Sequence, residues 1–179
     1  MDIRPPFAHT SSMEKTKIKL RQQGFLKDFL KCGITGWCLE IMFTSIDSIL
    51  SQDWRLMGRT SLLMFPIYGL GAILGPVCRW VDRWVDEGIW DLGVSLKDRL
   101  LRHGMMDMVL IFCGEYLFGL FLRGLGICPW DYSGRPTNIN GLIRLDFAPL
   151  WFLTGLLFEG MSRSSPVWEK TEKIPSSHL

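Results

Sequence analysis

The sequence predicts an all-α membrane protein: a four-helix transmembrane bundle of two tandem helical hairpins, with an interfacial amphipathic helix after the second span. Three observations lead there. Four apolar runs approach or exceed the length needed to cross a hydrocarbon core of about 30 Å. Of the 179 residues, 47% are hydrophobic, with eight Trp and eleven Phe against three His, a composition ordinary for a small membrane protein. Of twenty Lys and Arg, only Arg55, Arg59, Arg123, Arg135 and Arg144 lie in or beside the first and third connections between runs.

The totals also exclude classes. A net charge of +2 is too small for a nucleic-acid footprint. Five scattered Cys show neither a disulfide framework nor metal-ligand spacing, so reduced thiols and no metal or cofactor are expected. The first apolar run begins only at Gly33 and exceeds the h-region of a signal peptide, so it reads as a retained span.

Residues 1–32 form a cytoplasmic N-terminal arm, partly disordered, whose first twelve residues are polar and include Pro5 and Pro6. From Met13 to Lys31, six basic residues alternate with Ile18, Leu20, Phe25, Leu26, Phe29 and Leu30. That pattern suits either a basic amphipathic helix on an anionic membrane face or a positive flank for the first span. The four-span domain covers 33–160, with spans of about 33–51, 60–79, 105–127 and 141–160, and 161–179 is a cytoplasmic tail.

In the first span Gly33, Gly36, Trp37, Glu40, Thr44 and Asp47 recur every three or four residues, a small and polar stripe that should face protein. In the second span Thr60 to Cys78 carries no charge, with Gly71 and Gly75 offering close helix approach and Pro66 predicting a kink. After it, Trp80, Val81, Trp84 and Val85 stand among charges, as in an interfacial helix. The third span places Glu115, Gly119 and Arg123 on one face, where carboxylate and guanidinium either bridge or leave Arg123 to snorkel. The fourth carries Arg144, Ala148, Trp151 and Gly155 on one stripe, with Asp146 turned about 200° from Arg144 if helical. Positive-inside then puts both termini in the cytoplasm and the 128–140 loop on the lumenal or outer side. No sorting signal says which membrane is occupied.

A short duplication runs through the chain. Gly58, Pro66 and Tyr68 repeat in spacing as Gly141, Pro149 and Trp151, and Cys38-x-Glu40 repeats as Cys113-x-Glu115. Two hairpins of the same orientation would form a parallel repeat.

An acid inside a membrane helix costs on the order of 3 kcal/mol. Glu40 and Glu115 therefore need partners. One reading makes them, with Tyr68, Asp131, Tyr132, Asn138, Arg144 and Asp146, a polar site between the hairpins. The other has them hydrogen-bonding neighbouring helices. Residues two apart on a helix point away from each other, so Cys38 and Cys113 are not activated by the adjacent Glu, and a thiol enzyme is unsupported. His9, His103 and His178 fall outside the expected spans, removing the usual proton shuttle and zinc ligand. The WDYS segment, Trp130 to Ser133, reads as interfacial anchors on a turn or as a lid over the site.

Several of these residues carry a resemblance. Gly36, Glu40, Thr60, Ser61, Pro66-Ile67-Tyr68-Gly69, Glu115, Gly119, Cys128-Pro129-Trp130-Asp131-Tyr132-Ser133, Gly141-Leu142-Ile143 and Trp151 resemble the transmembrane protein 229 family. More distantly they resemble the bacterial proteins labelled putative ABC transporter type IV permease. The resemblance implies a four-span membrane protein without an assigned activity. Asp146 departs from it, standing where members generally show Glu, and the loop after Trp80 is longer.

The functional reading is a multi-pass protein in the lipid bilayer that binds or transports a small molecule or lipid, as a homo-oligomer, with an unidentified ligand. One alternative is an intramembrane lipid enzyme using Glu40 or Glu115 as acid or base. Another is an accessory or structural subunit docking a partner through Trp80 and Trp84. The chain has no ATP-binding glycine loop, so any ABC-type role requires a separate ATPase.

Overall fold

In chain order the helices are α1 (Phe7–Leu50), α2 (Met64–Gly69), α3 (Leu74–Gly88), α4 (Leu96–Gly124) and α5 (Ala148–Met161), with a two-residue hairpin of β1 (Asn138–Ile139) and β2 (Ile143–Arg144) before α5. This computed structural model describes residues 7–50, 52–88 and 96–162. Expectations about residues 1–6, 89–95 and the tail from 163 onward lie outside the described residues. Three helical stretches are long and apolar enough to cross a membrane: Gln22–Ile46, Met64–Trp84 and Leu96–Gly124. Large apolar side chains such as Ile34, Leu117, Phe121 and Leu153 point outward, as a lipid-facing surface requires and a soluble domain of this size avoids. The class is all-α membrane.

α1 is one uninterrupted helix of 44 residues, about 66 Å long at 1.5 Å per residue. It starts at Phe7, and the basic segment continues the first span rather than forming a separate surface helix. No Pro or helix-breaking cluster separates the two. The second span differs similarly. Pro66 sits in the first turn of α2, where a missing N–H leaves no bond unmade. The irregularity falls instead at Leu70–Ile73, a 3₁₀ turn between α2 and α3. The charged segment bearing Trp80 and Trp84 prolongs α3 without a break.

The fourth run departs most from expectation. Residues 138–147 form the hairpin and a 3₁₀ turn, and α5 has only 14 residues. Asn140 and Gly141 both take left-handed backbone, φ 53° and 67°, a conformation that Asn and Gly alone adopt readily. Arg144 consequently ends the second strand and Asp146 lies in the 3₁₀ turn, so neither is in an α-helix. The 200° separation does not apply, and the two side chains form an ion pair.

The helices pack as two antiparallel pairs. Along the α1 stripe, Gly33 meets the Phe65 ring and Gly36 the Tyr68 ring. Trp37 Nε1 donates to the Ser61 carbonyl at 3.0 Å, and Thr44 Oγ1 to the Arg59 carbonyl at 3.0 Å. The Asp47 side chain lies outside the described residues. In the second pair, Gly104 on α4 accepts the Phe152 ring of α5, and Gly155 on α5 accepts Asp107 of α4. Gly71 and Gly75 join the pairs, facing Phe158 and Ser162 at the end of α5. Gly33, Gly36, Gly71 and Gly75 are thus occupied within the chain. An apolar layer of Cys32, Ala72, Leu74 and Phe158 fills the centre.

Candidate functional site

A cavity of about 150 Å³ opens between the pairs on the loop side of that layer, lined by Glu40, Tyr68, Glu115, Trp130, Tyr132 and Trp151 among others. An adjoining cavity of about 290 Å³ shares Glu40, Tyr68, Tyr132 and Trp151 and adds Asp131 and Arg144. Of the eight residues that the sequence singles out, six therefore line one or both of these cavities. Asn138 and Asp146 line neither cavity. They hold the loop instead: Asn138 Oδ1 accepts from the Gly141 amide at 2.8 Å, and Asp146 accepts from Arg144 and Thr137.

Each acid has neutral partners. Glu40 accepts a hydrogen bond from Thr60 Oγ1, and Tyr68 lines the same space beside it. Glu115 accepts from Trp151 Nε1 at 3.2 Å, and Tyr132 lines the same space beside it. Arg123 does not bridge to Glu115. It sits at the end of α4, donates to the Asn140 carbonyl at 2.6 Å and lies 3.7 Å from Asp131. The hairpin turn bends back over the last turn of α4 and puts its carbonyls closer to that guanidinium than the carboxylate is.

The WDYS segment is built as a turn over the cavity. Asp131 Oδ1 accepts from the Ser133 amide at 3.0 Å and its hydroxyl at 2.6 Å, and those bonds hold its carboxyl below the usual range. The Tyr132 amide donates to the Gly141 carbonyl at 2.8 Å, and Trp130 Nε1 to the Leu142 carbonyl at 3.0 Å. Fully buried Leu142 thereby pins the segment against Gly119. Burial, then the nearby Glu115, pushes the Tyr132 phenol well above its ordinary value, so it remains a hydrogen-bond donor. Arg144 lies 4.1 Å above the Phe147 ring centroid, held there by Asp146.

A second polar group, which sequence reasoning misses, lies on the other side of the apolar layer. His103 is inside α4 and fully buried, not outside the spans. Its Nδ1 is 2.9 Å from Glu159 Oε1 on α5, and its Nε2 is 3.1 Å from Asp82 Oδ2 on α3. Arg102 pairs with Asp82 from the outer side. Cys78 Sγ donates to Asp107 Oδ1 at 3.2 Å. Cys78, His103 and Glu159 each present a ligand-type atom, all within 4.8 Å of one another. The available signal was the spacing of four in Cys78/Asp82 and His103/Asp107, which puts each pair on one helix face. The thiols of Cys38 and Cys113 are exposed on the outside of the bundle, whereas Cys32 and Cys78 are buried.

Fold and site together define a helical membrane protein whose two helix pairs enclose an acidic, aromatic-lined cavity. Residues 28–177 match the family described as Putative ABC-transporter type IV, and the chain belongs to that family. No solved structure matches it.

Proposed function

We propose that this protein is a four-pass membrane protein that binds, and helps to move, a small molecule or lipid carrying an ammonium group in the cavity between its helix pairs. The observation that carries this reading is the pairing of two carboxylates, Glu40 and Glu115, with the rings of Tyr68, Trp130, Tyr132 and Trp151 around one space. Acids oppose a positive charge, and aromatic faces add cation–π attraction that strengthens as water is excluded. Membership in a family described by transport supports movement of the ligand. The Lys and Arg distribution supports cytoplasmic termini. The CPWDYS string, Cys128 to Ser133, supports placing the chain with transmembrane protein 229.

Packing contacts support two parallel repeats. Glu40 and Tyr68 of the first pair line the cavity as Glu115 and Trp151 do in the second. Eleven residues before each Glu stand Phe29 and Gly104, and directly after each aromatic stand Gly69 and Phe152. Gly69 receives the Phe29 ring, and Gly104 receives the Phe152 ring. The same contact is made twice, with glycine and phenylalanine exchanged.

The test is a structure of the purified protein in lipid nanodiscs, with native mass spectrometry of the same sample. An amine-bearing species between Glu40 and Glu115, lost in Glu115→Gln, is expected. A cavity holding only water or acyl chain, with no bound mass, would refute the reading.

A second reading, an accessory subunit, draws on the exposed Trp80 and Trp84 rings, 5.7 Å apart on α3. Replacing both with Ala should then abolish co-purification of a partner ATPase while Glu115→Gln leaves it intact.

A further inference from the structure

We propose that Cys78, His103, Asp107 and Glu159 form a binding site for a divalent transition-metal ion of the zinc class, independent of the cavity at the loop end.

Three helices deliver the donors. Cys78 comes from α3, His103 and Asp107 from successive turns of α4, and Glu159 from the last turns of α5. None of the four is more than 1% exposed. A thiolate, an imidazole and two carboxylates are the mixed soft and hard donors that a zinc-class ion accepts in fourfold coordination, while calcium and magnesium require oxygen alone. The ligand atoms of Cys78, His103 and Glu159 within 4.8 Å of one another leave room for an ion at ordinary bond lengths of about 2.0–2.3 Å.

Two further observations point to a ligand rather than to a self-contained ion-pair cluster. Asp107 is fully buried, yet its Oδ2 has no hydrogen-bond partner among the described residues. An unsatisfied carboxylate oxygen in a protein interior is costly and rare. Gly155 leaves room for it, since any side chain at 155 would collide with Asp107. Second, Asp82 occupies His103 Nε2 at 3.1 Å. A carboxylate on one ring nitrogen aims the other at the metal, the usual support of a histidine ligand. Here that other nitrogen, Nδ1, is the one facing Glu159 at 2.9 Å. Arg102 balances Asp82 from outside. Binding would break the His103–Glu159 and Cys78–Asp107 hydrogen bonds, and the protons of Cys78 and of Nδ1 would leave to solvent as the ion takes their places.

Cobalt(II) is the probe, because a thiolate ligand gives it an intense near-ultraviolet charge-transfer band and fourfold coordination gives visible bands. The full chain in lipid nanodiscs, stripped with chelator and titrated with cobalt(II), is expected to bind one equivalent with both features, displaceable by zinc. Cys78→Ser should remove the ultraviolet band while Cys128→Ser retains it. Asp82→Asn should keep the band and weaken binding about 10–100-fold. Should Cys78→Ser fail to fold by circular dichroism, Asp107→Asn supplies the same test through altered visible bands. No stoichiometric cobalt on the wild type, or a thiolate band that survives Cys78→Ser, would overturn the site.

Discussion

The cavity and the His103 cluster are carried by the same two helices, and they treat charge in opposite ways. On α4, Glu115 and Asp107 are eight residues apart, and on α5 so are Trp151 and Glu159, about 12 Å in each case. At the loop end Glu40 and Glu115 meet neutral donors, a threonine and an indole, and empty space remains beside them. At the other end three acids, a histidine, an arginine and a thiol interlock. The first arrangement leaves negative charge for a visitor to answer, whereas the second largely answers it internally. The lesson is that buried charge in this bundle is used in two ways, and only the partners, not the acids themselves, tell them apart.

That contrast makes substitutions at the two ends unequal. His103→Ala should be the most damaging. It removes the ring that bridges the buried carboxylates of Asp82 and Glu159, a loss on the order of 3–5 kcal/mol, read as a lowered unfolding temperature in detergent. Stability within about 1 kcal/mol of wild type would break the distinction.

Gly104→Phe should cost about 1–3 kcal/mol by overpacking against Phe152. The exchange Gly104→Phe with Phe152→Gly should recover most of that loss, because it installs the arrangement of Phe29 and Gly69. A double variant no better than the single one would argue against repeated packing.

Trp151→Phe should have a smaller effect, about 0.5–1.5 kcal/mol, from loss of the indole bond to Glu115. Its signature is functional: ligand retention in native mass spectrometry should fall while the fold stays intact.

The smallest expected effect is that of Asp146→Asn. Its partner Arg144 lies at a solvent-accessible loop, so the stability change should stay under about 1 kcal/mol. Greater exchange of the 138–147 amides should report the loosened guanidinium.

The lengths of the apolar runs and the spacing of their small and polar residues are properties of the chain itself. They show why Gln22–Ile46 and Leu96–Gly124 are long apolar helices and why Gly33, Gly36 and Glu40 turn together toward α2. Periodicity reports which residues share a face, because it depends only on the rise and rotation of one helix. It does not report what the face meets. His103 read as a loop residue because charges surround it in sequence. Its counter-charges stand on two other helices, at Asp82 and Glu159, and only the crossing of α3 and α5 over α4 brings them to it. Likewise Gly141–Phe147 passes for the start of a helix by hydropathy, but left-handed Asn140 and Gly141 turn the chain into a hairpin. Local pattern thus determined the spans and their inward faces. Partner choice, the short last helix and the division between an open acidic cavity and a buried cluster of carboxylates, imidazole and thiol were decided by tertiary packing, since they rest on contacts between residues remote in the chain.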